Sequence, residues 1–258
     1  MSAGIVAPAR DTAAAWRRLL WNHPQLILAV VAVAAWPTMY VAVFAAMVGH
    51  HGMGAMAGMG HDGVMGPGMP EHHAMSALPW ALMVVAMMLP TILPAARWIS
   101  LSVRWSRRLR APALFALGYL TVWITAGVAA LAALRPLHIV PGGRWVIVAA
   151  LTIAVGWELT PWKLRFLRAC HRLRPIPPSG FRAEWGCVQR GITTGGSCLG
   201  AGWAMMSPML VADHIVGMWL MVPMTVVMLR QRFAVKAAKV VRPAAAALAA
   251  LAVGVAIW

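Results

Sequence analysis

The stretch "LPWALMVVAMMLPTILPAA", residues 78–96, carries no charged side chain. A bilayer core about 30 Å thick is crossed by about 20 apolar residues in a helix. The stretch therefore reads as a transmembrane span. Working outward, 25–48, 113–134 and 191–212 read the same way. The segment 145–162 is long enough but holds Glu158 and Pro161 near its end. Segments 215–229 and 243–258 are shorter. The expectation is an all-α, polytopic transmembrane bundle of six to seven spans, the last either crossing or lying shallow. A segment 1–24 precedes a single membrane domain, 25–258, with an outer loop at 49–77.

Composition agrees with that class. The chain is 61% hydrophobic and 11% charged, against roughly 45–50% and about 25% in soluble domains. The net charge of +16 does not indicate a nucleic-acid partner, because the basic residues sit in short clusters between apolar runs. With the N-terminus in the cytoplasm and the spans alternating, segments 1–24, 97–112, 163–190 and 230–242 face inward. They hold 20 of the 22 Lys and Arg residues, leaving Arg135 and Arg144 outside. That asymmetry is the positive-inside pattern, and it places the chain in a bacterial inner membrane as a multi-pass protein. Trp21, Trp80, Trp98, Trp145 and Trp162 fall near span ends, where interfacial tryptophans belong. The first apolar run is longer than the roughly 7–15 residues of a signal-peptide core, so it reads as a retained anchor. Three cysteines make no disulfide framework.

The loop holds the most unusual chemistry. Between residues 50 and 75 lie His50, His51, His61, His72 and His73, with Met53, Met56, Met59, Met65, Met69 and Met75. Thioethers select Cu(I), and imidazole suits copper, zinc and nickel. The mixture points to a copper ion, and the interspersed glycines to an exchangeable collector. The bland alternative is a linker of biased composition.

Methionines also concentrate in three spans. Met83 and Met87, and likewise Met205 and Met209, are four apart and share a helix face; Met88 and Met206 adjoin them. Met218, Met221, Met224 and Met228 form a third stripe. The stripes either converge as ligands or simply fill an irregular core, the commoner use of methionine. Ala86–Met87–Met88–Leu89–Pro90 and Ala204–Met205–Met206–Ser207–Pro208 share one pattern, in which proline releases the carbonyl four residues earlier. A freed carbonyl inside a membrane needs an ion, a water or a hydroxyl such as Thr91, Ser207 or Thr225. Asp213 and His214 mark an outer turn that either receives an ion or is merely polar. Cys198 is a candidate thiolate ligand or an inert small apolar residue. Glu158 either has a function at membrane depth or reaches Lys163 or the interface.

Three stretches carry a resemblance: "AMMLPTILP" (86–94), "WELTPWKLRFLRACHR" (157–172) and "GSCLGAGWAMM" (196–206). Over roughly 80–232 the chain resembles a family of bacterial integral membrane proteins described as predicted metal-binding proteins of unknown function. The resemblance implies the fold and a link to metal, not an activity. The family typically has a cysteine where Phe166 stands, and a Cys-Leu-Gly-Cys-Cys-Trp run where this chain has Cys198, Ala201, Gly202 and Trp203. Only Cys170 and Cys198 remain of that set, so either Met and His supply the missing donors or the core holds no metal.

The sequence thus leads to a copper-handling membrane protein, a transporter or a metallochaperone. The alternative is an accessory or assembly subunit that hands copper to a membrane oxidase. A scaffold without metal is a third class. Expected partners are the bilayer and a copper-accepting protein, with homo-oligomerisation open. No nucleotide-binding loop, catalytic-triad spacing or zinc-protease helix points to an enzyme.

Overall fold

The computed structural model describes residues 14–15, 18–19, 21–57, 77–134, 136, 143–172, 181–234 and 237–257. Among these there is no strand. From residue 26 the elements are α1 (Leu26–Ala57), α2 (Ala77–Ser102), a short 3-10 turn (Trp105–Arg107), α3 (Arg110–Leu134), α4 (Arg144–Glu158), α5 (Pro161–Cys170), α6 (Phe181–Val211), α7 (His214–Phe233) and α8 (Ala237–Ile257). The all-helical expectation holds.

Four helices, α1, α2, α3 and α8, are long and apolar enough to cross a membrane. The pair α4 and α5 adds a fifth span if taken together. The count of six to seven needs α6 and α7 to cross as well. Their length allows it, since the 31 residues of α6 extend about 46 Å at 1.5 Å per residue. Their polarity is what sets them apart: α6 opens with Arg182, Glu184, Gln189 and Arg190, and α7 closes on Arg230, Gln231 and Arg232.

Three expected boundaries move. The segment 145–162 is not one straight helix. It stops at Glu158 and restarts at Pro161, bent by 75°. Thr160 causes the restart: its extended backbone leaves α4, its hydroxyl accepts from the Lys163 N–H at 3.3 Å, and Pro161 opens the next helix. Proline is favoured at that first position, where its missing N–H costs nothing. The last segment begins at Ala237, not Pro243, and its 21 residues are enough to span. Helix α1 continues through His50, His51, Met53 and Met56 to Ala57, so these four lie on a helix, not in a loop.

The core is built on α3 and α6, which share the most extensive helix contact. It is a backbone-to-backbone contact. A Cβ on Gly118 would strike the Val188 carbonyl, and one on Gly191 the Phe115 carbonyl. Small residues allow this approach, which drives helix association where lipid removes the hydrophobic contrast. Helix α2 packs on α3 and α7, α4 and α5 on α6, α1 on α2, and α8 on α4. The outer faces stay apolar: Val33 is 70%, Trp219 78% and Ile257 80% exposed. So much uncovered apolar surface is foreign to soluble monomers and suits acyl chains.

Candidate metal centre

The three methionine-bearing helices do converge. Met83, Met87 and Met88 of α2, Met205, Met206 and Met209 of α6, and Met221, Met224 and Met228 of α7 are all buried in one core cluster. Met218 is only partly buried at its edge. Burial of the others together in one cluster is compatible with both packing and ligation. At the deep end of the cluster, however, Met88, Met205 and Met228 border a cavity of about 30 Å³. Cys170 and Cys198 complete its sulfur lining, with Thr91, Trp123, Gln231 and Arg232 among the other walls. Its walls are mainly apolar and sulfur-bearing, and its size admits a water or a single ion.

Local contacts hold the sulfurs in place. Tyr119 is fully buried on α3. Its hydroxyl donates to Cys198 Sγ at 3.0 Å, lies 3.8 Å from Met88 Sδ and sits 3.3 Å from Thr91 Oγ1. The Gly118–Gly191 approach brings Tyr119 to α6, so the close helix contact and the cysteine environment are one feature. Cys170 at the end of α5 is in contact with the Cys198 thiol and with Arg232. The bend at Thr160 is what returns α5 to the bundle and delivers Cys170.

A charge pair lies beside the sulfurs. Lys163 and Glu158 are both 0% exposed and ion-paired. Gln231 Nε2 donates to the other Glu158 oxygen at 2.9 Å, and Lys163 Nζ is 3.7 Å from Met205 Sδ. Glu158 does reach Lys163, one of the contacts expected for it. Arg232 Nε donates to the Thr91 carbonyl at 3.2 Å. Of the freed carbonyls, Ala204 receives the Ser207 hydroxyl at 2.8 Å.

Other candidates are placed elsewhere. Asp213 caps α7, its Oδ1 accepting from Val216 N–H at 2.7 Å. His214 is the first residue of that helix. His50, His51, Met53 and Met56 have described backbone only. Met59, His61, Met65, Met69, His72, His73 and Met75 lie outside the described residues. Among the described residues no three His, Cys, Asp or Glu side chains come together. The donor set rests on thioethers joined by two thiols, and soft ligands of this kind fit Cu(I). The sequence pattern puts Met228 in a candidate stripe but gives no residue-level signal for Cys170, Arg232 or Tyr119. The one hint at Cys170 was its place in the resemblance. Ala201 and Gly202, which stand where the resembled family typically has cysteines, line the same cavity.

A family model described as PpoB2, copper chaperone, matches residues 77–255. The chain belongs to this family. The match begins at α2 and ends within α8, so it takes in every helix that borders the cavity. Neither the comparison with curated proteins nor that with solved structures gives a match. Copper handling is thus supported at the level of the family, and the helices that could cross a membrane support the membrane setting.

Proposed function

We propose that this PpoB2-family member is an inner-membrane metallochaperone that carries Cu(I) as cargo. The observation behind the reading is the cavity of about 30 Å³ where two thiols and three thioethers meet. Its size favours holding one ion over conducting a stream of them. In this reading the His- and Met-rich segment from His50 to Met75 collects copper at the outer face, with Asp213 and His214 at the turn before α7. The buried methionines of α2, α6 and α7 line the way inward. Met218 to Met228 alone covers about 15 Å along the helix axis. Cys170 and Cys198 hold the ion as thiolates, and exchange among thioethers lets it leave for an acceptor protein.

The test is chelator competition on the purified full chain under anaerobic conditions with Cu(I). The expected result is one tightly held ion, lost in the Cys170→Ser/Cys198→Ser variant. A variant lacking residues 50–75 keeps that ion but fills more slowly. Retention by the double serine variant would overturn the reading. Copper accumulation in proteoliposomes would favour transport over chaperoning.

A further inference from the structure

Arg232 stands out once the charges around the cavity are paired. Lys163 and Glu158 neutralise each other, with Gln231 on the second carboxylate oxygen. Arg232 makes no ion pair with a carboxylate among the described residues. Its Nε is bonded to a neutral carbonyl, and its Nη1 is buried without a hydrogen-bond partner. The guanidinium borders the cavity and interacts with both thiols. Helix-end electrostatics do not require it there, because Arg230 already supplies an exposed cation to the last turn of α7. A half-buried cation with no carboxylate partner among the described residues, facing two sulfurs that bind metal as thiolates, has one evident counter-charge, the site itself.

We infer that Arg232 sets the selectivity of the sulfur cavity for monovalent over divalent soft ions. The inference rests on the metal reading above. Two thiolates and one Cu(I) carry a net charge of −1, which Arg232 cancels. Two thiolates and one divalent ion are neutral, so Arg232 leaves a net +1 buried. Uncompensated buried charge is strongly unfavourable. The same count admits Ag(I) and rejects Zn(II) and Co(II). Arginine suits the position because its forked guanidinium keeps a donor on the Thr91 carbonyl while it faces both sulfurs.

The experiment measures binding of Cu(I), Ag(I), Zn(II) and Co(II) to the full chain and to Arg232→Gln and Arg232→Lys variants, reading Co(II)–thiolate charge-transfer absorbance alongside competition. The wild type is expected to hold Cu(I) and Ag(I) and to show no Co(II)–thiolate band at neutral pH. Arg232→Gln keeps a donor for the Thr91 carbonyl, and is expected to lose about a hundredfold of the monovalent preference and to gain the band. Arg232→Lys is expected to keep most of the preference. Unchanged selectivity in Arg232→Gln would overturn the inference, as would a loss in Arg232→Lys as large as that in Arg232→Gln. A strong Co(II) band in the wild type overturns it without any variant. Absence of Cu(I) and Ag(I) from the wild type would sink the chaperone reading itself, a result distinct from binding without selectivity.

Discussion

At the scale of single residues, the buried Lys163–Glu158 pair shows why charge is tolerated at this depth. Each charge has the other, and Gln231 and Met205 fill the remaining contacts. Removing one partner leaves an uncompensated ion, at a cost of about 3–5 kcal/mol, whereas replacing both by apolar residues is often near neutral. Lys163→Met is therefore expected to unfold well before the wild type, and Lys163→Met/Glu158→Leu to recover much of the loss. Thermal unfolding in detergent checks both. Equal loss in the single and double variants would show that the pair is not the stabilising unit. Sequence made this contact visible as one of the options for Glu158, because only four residues, Pro161 among them, separate the partners along one segment. It gave no view of Arg232 meeting Cys170, since nothing in a linear pattern places the end of α7 beside the end of α5.

At the scale of elements, two local devices build the site. The first is the break between α4 and α5. Thr160→Ala removes the side-chain cap, worth about 1 kcal/mol. It should also loosen α5, so Cu(I) affinity is expected to fall more than stability alone implies. An affinity equal to the wild type would mean that Pro161 suffices to set the bend. The second is the contact of α3 with α6. Gly191→Ala puts a methyl group against the Phe115 carbonyl. Overpacking of this kind costs typically 1–3 kcal/mol, and it should part Tyr119 from Cys198. The expected signature is a lower melting temperature together with weakened Cu(I) binding; a stable protein with intact binding would deny the close approach any role. Helical periodicity disclosed the methionine faces on α2, α6 and α7, and the hydroxyl at Ser207 followed from the position of Pro208. The bend was hidden, because a hydropathy window runs straight through Thr160. The reach of α1 to Ala57 was hidden too, since glycine and histidine are poor helix formers and read as loop.

At the scale of the whole molecule, the proposed function separates a collecting segment from a holding site. His50–Met75, the end of α1 and the residues that follow it, carries thioethers and imidazoles. The cavity offers thioethers and thiols and is bordered by α2, α3, α5, α6 and α7. The two differ in donor chemistry, and that difference can be measured directly. The most direct test of the account is X-ray absorption at the copper edge on the full chain loaded with one equivalent of Cu(I), compared with the same protein lacking residues 50–75. The account expects a first shell of sulfur alone, unchanged by the deletion. A shell containing imidazole nitrogen that disappears with residues 50–75 would contradict it, and would return the buried cysteines and methionines to the role of packing.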